Sequence, residues 1–147
     1  MKIQIHTLNN NLAKLNEILI YDSKADEYRH ISRSIKPDVV WCLSIEDWKS
    51  LGIDTLKIHK IVFSMYISDK YEFSRKEFLF RDNFAAAYHV VDEETKELIE
   101  KLSFKPVYLI PYEEDNIDTF DRTVIENFKT SKTFHKKIMD IFKELKE

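Results

Sequence analysis

The chain has 147 residues, enough for one domain and too few for two. Its 44% hydrophobic, 33% charged and 13% aromatic content supplies a core and excludes disorder along the whole chain. The formal charge of −3 gives no general attraction to nucleic acid or anionic lipid, and a single cysteine, Cys42, excludes an internal disulfide and a cysteine-rich zinc site. Gly52 is the only glycine, where average usage would give roughly ten. A phosphate-binding P-loop, a dinucleotide fingerprint and a Gly-x-Ser-x-Gly elbow are therefore excluded. The histidines His6, His30, His59, His89 and His135 include no HExxH pair, so neither a metal nor a cofactor is expected. The amino terminus alternates like a strand and is no signal peptide, and the longest apolar runs, such as Val39 to Leu43, are far short of a membrane span. A soluble, cytoplasmic chain is the expectation.

Lys2 to Thr7 alternates with period two and predicts a strand. Leu8, Leu12, Leu15 and Leu19 recur at helical spacing after the capping run Asn9-Asn10-Asn11. Ile18 to Tyr21 either ends that helix or forms a short strand. Ser23, with Asp26 three residues on, predicts a helix carrying Tyr28, Ile31 and Ile35, stopped at Pro37. Val39 to Leu43 is continuously apolar, as a strand buried on both faces of a parallel sheet must be. A short helix from Ile45 to Leu51 follows, then a strand from Lys60 to Tyr66. Residues 69–81 interleave aromatics with cations, the pattern of a helix lying on a sheet. A strand from Phe84 to Val91, an Asp92-capped helix from Glu93 to Leu102 and a strand from Pro106 to Ile110 complete the alternation. The remainder reads as polar until Phe134, Ile138, Ile141, Phe142 and Leu145 mark an amphipathic helix over about 131–146. The whole predicts a single three-layer, Rossmann-like α/β domain over residues 1–147. Its sheet is mostly parallel, of five or six strands, with helices on both faces.

Residues 36–120 resemble the amino-terminal half-domain of two-domain GT-B glycosyltransferases of the glycogen-synthase-like kind. The resemblance rests on the Pro37-Asp38-Val39-Val40 strand, the passage from Val90 to Leu102, the strand from Pro106 to Pro111, and Asp115 ahead of Phe120. It implies a Rossmann-like fold and a ligand that is a nucleotide-sugar or a glycan acceptor. In that family the carboxy-terminal half binds the donor, and 147 residues cannot hold both halves. The expectation is a standalone half-domain without catalysis of its own, acting as a ligand-binding or interaction module, as a homo-oligomer or with a partner subunit.

Ligands of open parallel sheets bind beyond the carboxyl ends of the strands. Residues expected at that rim are His6, Asp69 and Glu113 as acid–base candidates, since imidazole and carboxylate can exchange protons there. Thr7, Asn9, Ser44, Ser68, Asp92 and Glu93 are the ligand-binding candidates. The plainer alternative is that His6 ends its strand and that Glu113 to Asp115 form a solvated acidic loop. Two rival functions remain: a small glycosyltransferase or hydrolase using the rim, and nucleic-acid binding through Tyr66 to Arg81, against which the overall charge argues.

Overall fold

The computed structural model of the chain describes residues 1–6, 18–32, 36–43, 60–67, 74–114 and 119–146. The helical stripe expected at Leu8, Leu12 and Leu15, the helix expected from Ile45 to Leu51, and the aromatics Tyr71 and Phe73 lie outside the described residues. In chain order the elements are β1 (Lys2–His6), β2 (Ile18–Asp22), β3 (Glu27–Ile31), β4 (Val39–Cys42) and β5 (Ile61–Met65). Then come α1 (Arg75–Asp82), β6 (Ala85–Val90), α2 (Glu93–Leu102), β7 (Val107–Leu109), α3 (Phe120–Thr130) and α4 (Lys132–Lys146).

The fold is α/β, built on one sheet of order β3-β2-β1-β4-β5-β6-β7. β1, β4, β5, β6 and β7 pair in parallel, as the apolar strand pattern requires. Among the described residues the sheet has seven strands and not five or six, because a hairpin of β2 and β3 extends it antiparallel beyond β1. The helix expected after Ser23 is therefore a turn and a strand. Ser23 bonds Met1 O through its backbone N–H and its hydroxyl, both at 3.0 Å, so it closes a turn and caps nothing. Asp26 sits at φ 51°, in the left-handed region that a tight turn demands. Its carboxylate accepts the Tyr21 hydroxyl at 2.7 Å, and the Tyr21 and Tyr28 rings meet at 4.7 Å, tilted by 41°. Three apolar residues at helical spacing could not compete with full pairing against β2.

Side chains alternate along β4 into two separate clusters. Val39 and Trp41 meet Val124, Ile125 and Phe128 of α3 and Phe134, Ile138 and Phe142 of α4. Val40 and Cys42 meet Phe63, Phe78 of α1 and Ile99 of α2. Cys42 is thus a core residue, as its position in the strand suggests. The polar tail expected before Phe134 is instead α3, whose stripe of Val124, Ile125 and Phe128 is buried under α4. The last helix falls within the expected bounds. It packs on the sheet, with the Phe142 ring 5.5 Å from Trp41.

Val40 and Val62 are fully buried, whereas Ala86 within β6 is only partly so. The register between β5 and β6 shifts there: Ile61 faces Ala85 and Val62 faces Ala87, leaving Ala86 as an extra, half-buried residue. Replacing Val62 by Asp should cost roughly 3–5 kcal/mol, because its carboxylate would enter an apolar layer without a partner. Urea denaturation checks this; an unchanged midpoint would contradict the packing.

Candidate functional site at the strand carboxyl ends

Five parallel strands open their carboxyl ends along one edge, where α/β sheets bind ligands. Three aromatic rings from three elements meet there. Tyr66, just past β5, is 43% exposed, and its ring stacks on Phe120 at 5.9 Å and 17°. Tyr112, just past β7, lies 6.4 Å from the same Phe120 ring at 57°. Phe120 opens α3, so the cluster forms only because α3 returns to this edge.

The loop that carries Tyr112 is clamped by Asn127, a buried residue of α3. Its Oδ1 accepts the backbone N–H groups of Glu113 and Glu114 at 2.9 and 3.0 Å. Its Nδ2 donates to the carbonyls of Glu114 and Thr123 at 2.9 and 2.8 Å. Both lone pairs and both protons of the amide are used, which gives the loop a single position. Sequence reasoning missed Asn127, since a polar residue inside an unrecognised helix carries no local signal.

The expected site residues divide. His6 ends β1 opposite Cys42, half-buried, and its carbonyl accepts the Leu43 N–H at 3.2 Å. Asp92 is the N-cap of α2, accepting the Thr95 N–H at 2.8 Å, so its side chain is committed to the helix. Thr95 in turn accepts the Ile67 N–H at 3.3 Å and ties the exit of β5 to α2. Glu93 is exposed in the first turn, 3.9 Å from Lys96. Glu113 is exposed beside Tyr112, held through its backbone. Thr7, Asn9, Ser44, Ser68 and Asp69 lie outside the described residues.

Beneath the rim runs a buried polar chain that the sequence did not announce. Trp41 Nε1 donates to Ser64 Oγ at 2.7 Å. Ser64 Oγ lies 2.8 Å from His89 Nδ1, and His89 Nε2 lies 3.0 Å from Ile110 O. A carbonyl only accepts, so Nε2 carries the proton and Nδ1 accepts the serine hydroxyl. Burial pushes the imidazole down to about 4, partly offset by the bond to Ile110 O, so it is neutral at pH 7. A serine donating to an imidazole is how nucleophiles are activated. Here Trp41, Ser64 and His89 are fully enclosed, with the Phe134 ring 5.6 Å from the imidazole. The chain therefore ties β4, β5 and β6 to the exit of β7, two residues before Tyr112.

Among the described residues no group of three or more His, Cys, Asp or Glu side chains is placed to hold a metal, and no helix is long and apolar enough to cross a membrane. What the fold and the rim define is an α/β domain with an open parallel sheet and an aromatic, acidic strand-end edge. Comparison with protein-family models, characterised proteins and solved structures gives no match to this chain.

Proposed function

We propose that this domain binds a glycan at the carboxyl ends of its sheet, as a glycosyltransferase-like half-domain without sugar transfer of its own. The observation that carries the proposal is the Tyr66–Phe120–Tyr112 cluster, with Tyr66 exposed and the Tyr112 loop clamped by Asn127. Ligand sites pair aromatic surface with a few placed polar groups, and a sugar ring offers an apolar face to the first and hydroxyls to the second. Glu113 and Glu114, next to Tyr112, are exposed carboxylates. They repel a nucleotide's phosphates and accept hydroxyl protons, so the edge favours an uncharged glycan acceptor over a nucleotide-sugar.

Titration of neutral oligosaccharides, followed by the amide NMR shifts of residues 110–114, tests this. Binding should weaken about tenfold in Tyr66→Ala, the loss expected from removing roughly 1.4 kcal/mol of stacking. Nucleotide-sugar binding tighter than any neutral glycan would overturn the preference for an acceptor. Sugar transfer by the purified chain, lost in His6→Ala, would instead make it a small glycosyltransferase.

A further inference from the structure

The amino-terminal edge of the same sheet has the opposite chemistry. Lys2 opens β1, Lys60 directly precedes β5, and Lys36 and Lys105 stand just ahead of β4 and β7. Parallel pairing brings these four starts to one edge. Helix ends add Arg81 of α1, Lys101 of α2, and Lys143 and Lys146 of α4. α4 reaches this edge through a bond from Lys60 Nζ to Leu145 O and an ion pair between Lys146 and Asp38 at 3.4 Å.

The carboxylates of this stretch are fewer, and each is engaged. Asp38 accepts the Lys2 N–H at 2.8 Å, which with Lys146 holds its carboxyl below the usual range. Asp82 accepts the hydroxyls of Tyr88 at 2.5 Å and Ser103 at 2.6 Å, and Glu144 accepts that of Tyr108 at 2.8 Å. The acidic residues of the β2–β3 turn share this edge but stand at its other end, beyond β1, where Asp22 faces Lys2.

Amid these cations Phe104 is fully exposed. It sits between Lys101 and Lys105, on a loop held by Ser103, which donates to Asp82 and accepts the Lys105 N–H at 3.0 Å. Across that contact Phe80 is 46% exposed, with the Arg81 guanidinium 5.7 Å above its ring. Cations at helix ends complement the helix dipole, but that accounts for neither the strand-start lysines nor an aromatic tip pinned in water. An aromatic side chain ringed by lysines matches a lipid headgroup layer, where the ring enters the apolar boundary and the ammoniums meet phosphates. Single-stranded nucleic acid would call for a series of free rings spaced for successive bases; here Phe80 is engaged by Phe84 and Arg81, and Phe104 projects beyond it.

We infer that the amino edge from β4 to β7 docks on anionic lipid membrane, with Phe104 inserted and Lys36, Lys60, Lys101 and Lys105 facing the headgroups. The acidic strand-end rim then faces away from the lipid. The net charge of −3 conceals this basic stretch, which is confined to the part of the edge from β4 to β7. The inference is independent of what the rim binds.

Co-sedimentation of the full chain with phosphatidylcholine vesicles, with and without phosphatidylserine, tests it. Binding should require phosphatidylserine and fall with added salt, as the screening length shortens from about 10 Å at 0.1 M to about 3 Å at 1 M. Phe104→Ala, and separately the pair Lys101→Glu and Lys105→Glu, should each weaken it about tenfold or more. Unchanged melting and circular dichroism would show that the variants fold. Equal binding to neutral vesicles, indifference to both sets of substitutions, or no vesicle binding would each overturn the inference. Capture of a single-stranded oligonucleotide in place of vesicles would also overturn it and assign the edge to nucleic acid.

Discussion

A chain ending at Thr130 should have no stable fold at any protein concentration. The missing segment is α4, whose Phe134, Ile138, Met139, Ile141 and Phe142 are each 5% exposed or less. Burying a large apolar side chain contributes about 1.5–3 kcal/mol, so five of them rival the whole net stability of a domain, about 5–15 kcal/mol. The loss does not end with α4. Trp41 would lose the Phe142 ring and His89 the Phe134 ring, opening the buried polar chain to water. α3 would keep the sheet on one side only, and with it the clamp that Asn127 places on the Tyr112 loop would loosen. Urea titrations of the truncated and full chains over a hundredfold range of concentration check this. A stable truncated monomer beside a dimeric full chain would make α4 an assembly element, contrary to its packing on its own sheet.

Acidification from pH 7 to pH 4 should remove about 3 kcal/mol through His89 alone. Its folded value is about 4 and its unfolded value 6.5. In the window between, the unfolded chain binds a proton that the folded chain refuses, so stability rises with pH. The contribution is complete above about pH 6.5 and is lost progressively as pH falls to about 4. The cause is burial: the imidazole is closed to water, so its charged form would go unsolvated, and the bond to Ile110 O offsets this only in part. His89→Gln keeps an acceptor for Ser64 and a donor for Ile110 O but cannot titrate. It should be less stable at pH 7 and show a flatter stability profile between pH 4 and 6.5. Equal slopes for the two proteins in that window would rule out His89 as the titrating group. Asp38 acts elsewhere: its lowered value makes its contribution present above the ordinary carboxylate range and lost only below it.

The central strands were legible because each carries its own signal. Val39 to Cys42 is continuously apolar and Ile61 to Met65 is broken only by Ser64, a pattern that suits a strand covered on both faces. α2 starts and stops where Asp92 and its amphipathic period say, since capping and periodicity are local. β3 was misread as a helix because pairing with β2 overrode three residues at helical spacing. α3 was missed because Phe120, Val124 and Phe128 sit among polar residues whose burial depends on α4.

The candidate site was legible as an edge and not as a set of side chains. Parallel strands imply a rim, and His6, Asp92 and Glu113 indeed end strands or begin the turns after them. Local sequence could not join Tyr66 to Phe120, Ser64 to His89, or Asn127 to Glu113, because the partners are 14 to 54 residues apart and meet only once the strands have paired and α3 has closed over the sheet. The lysines before the strands show the same division. Each is visible in the chain, but only parallel pairing turns four scattered cations into one basic edge. Periodicity and capping act between near neighbours and so survive in the linear sequence. Ring contacts, buried hydrogen bonds and charged edges are relations between distant segments, and only the packed chain creates them.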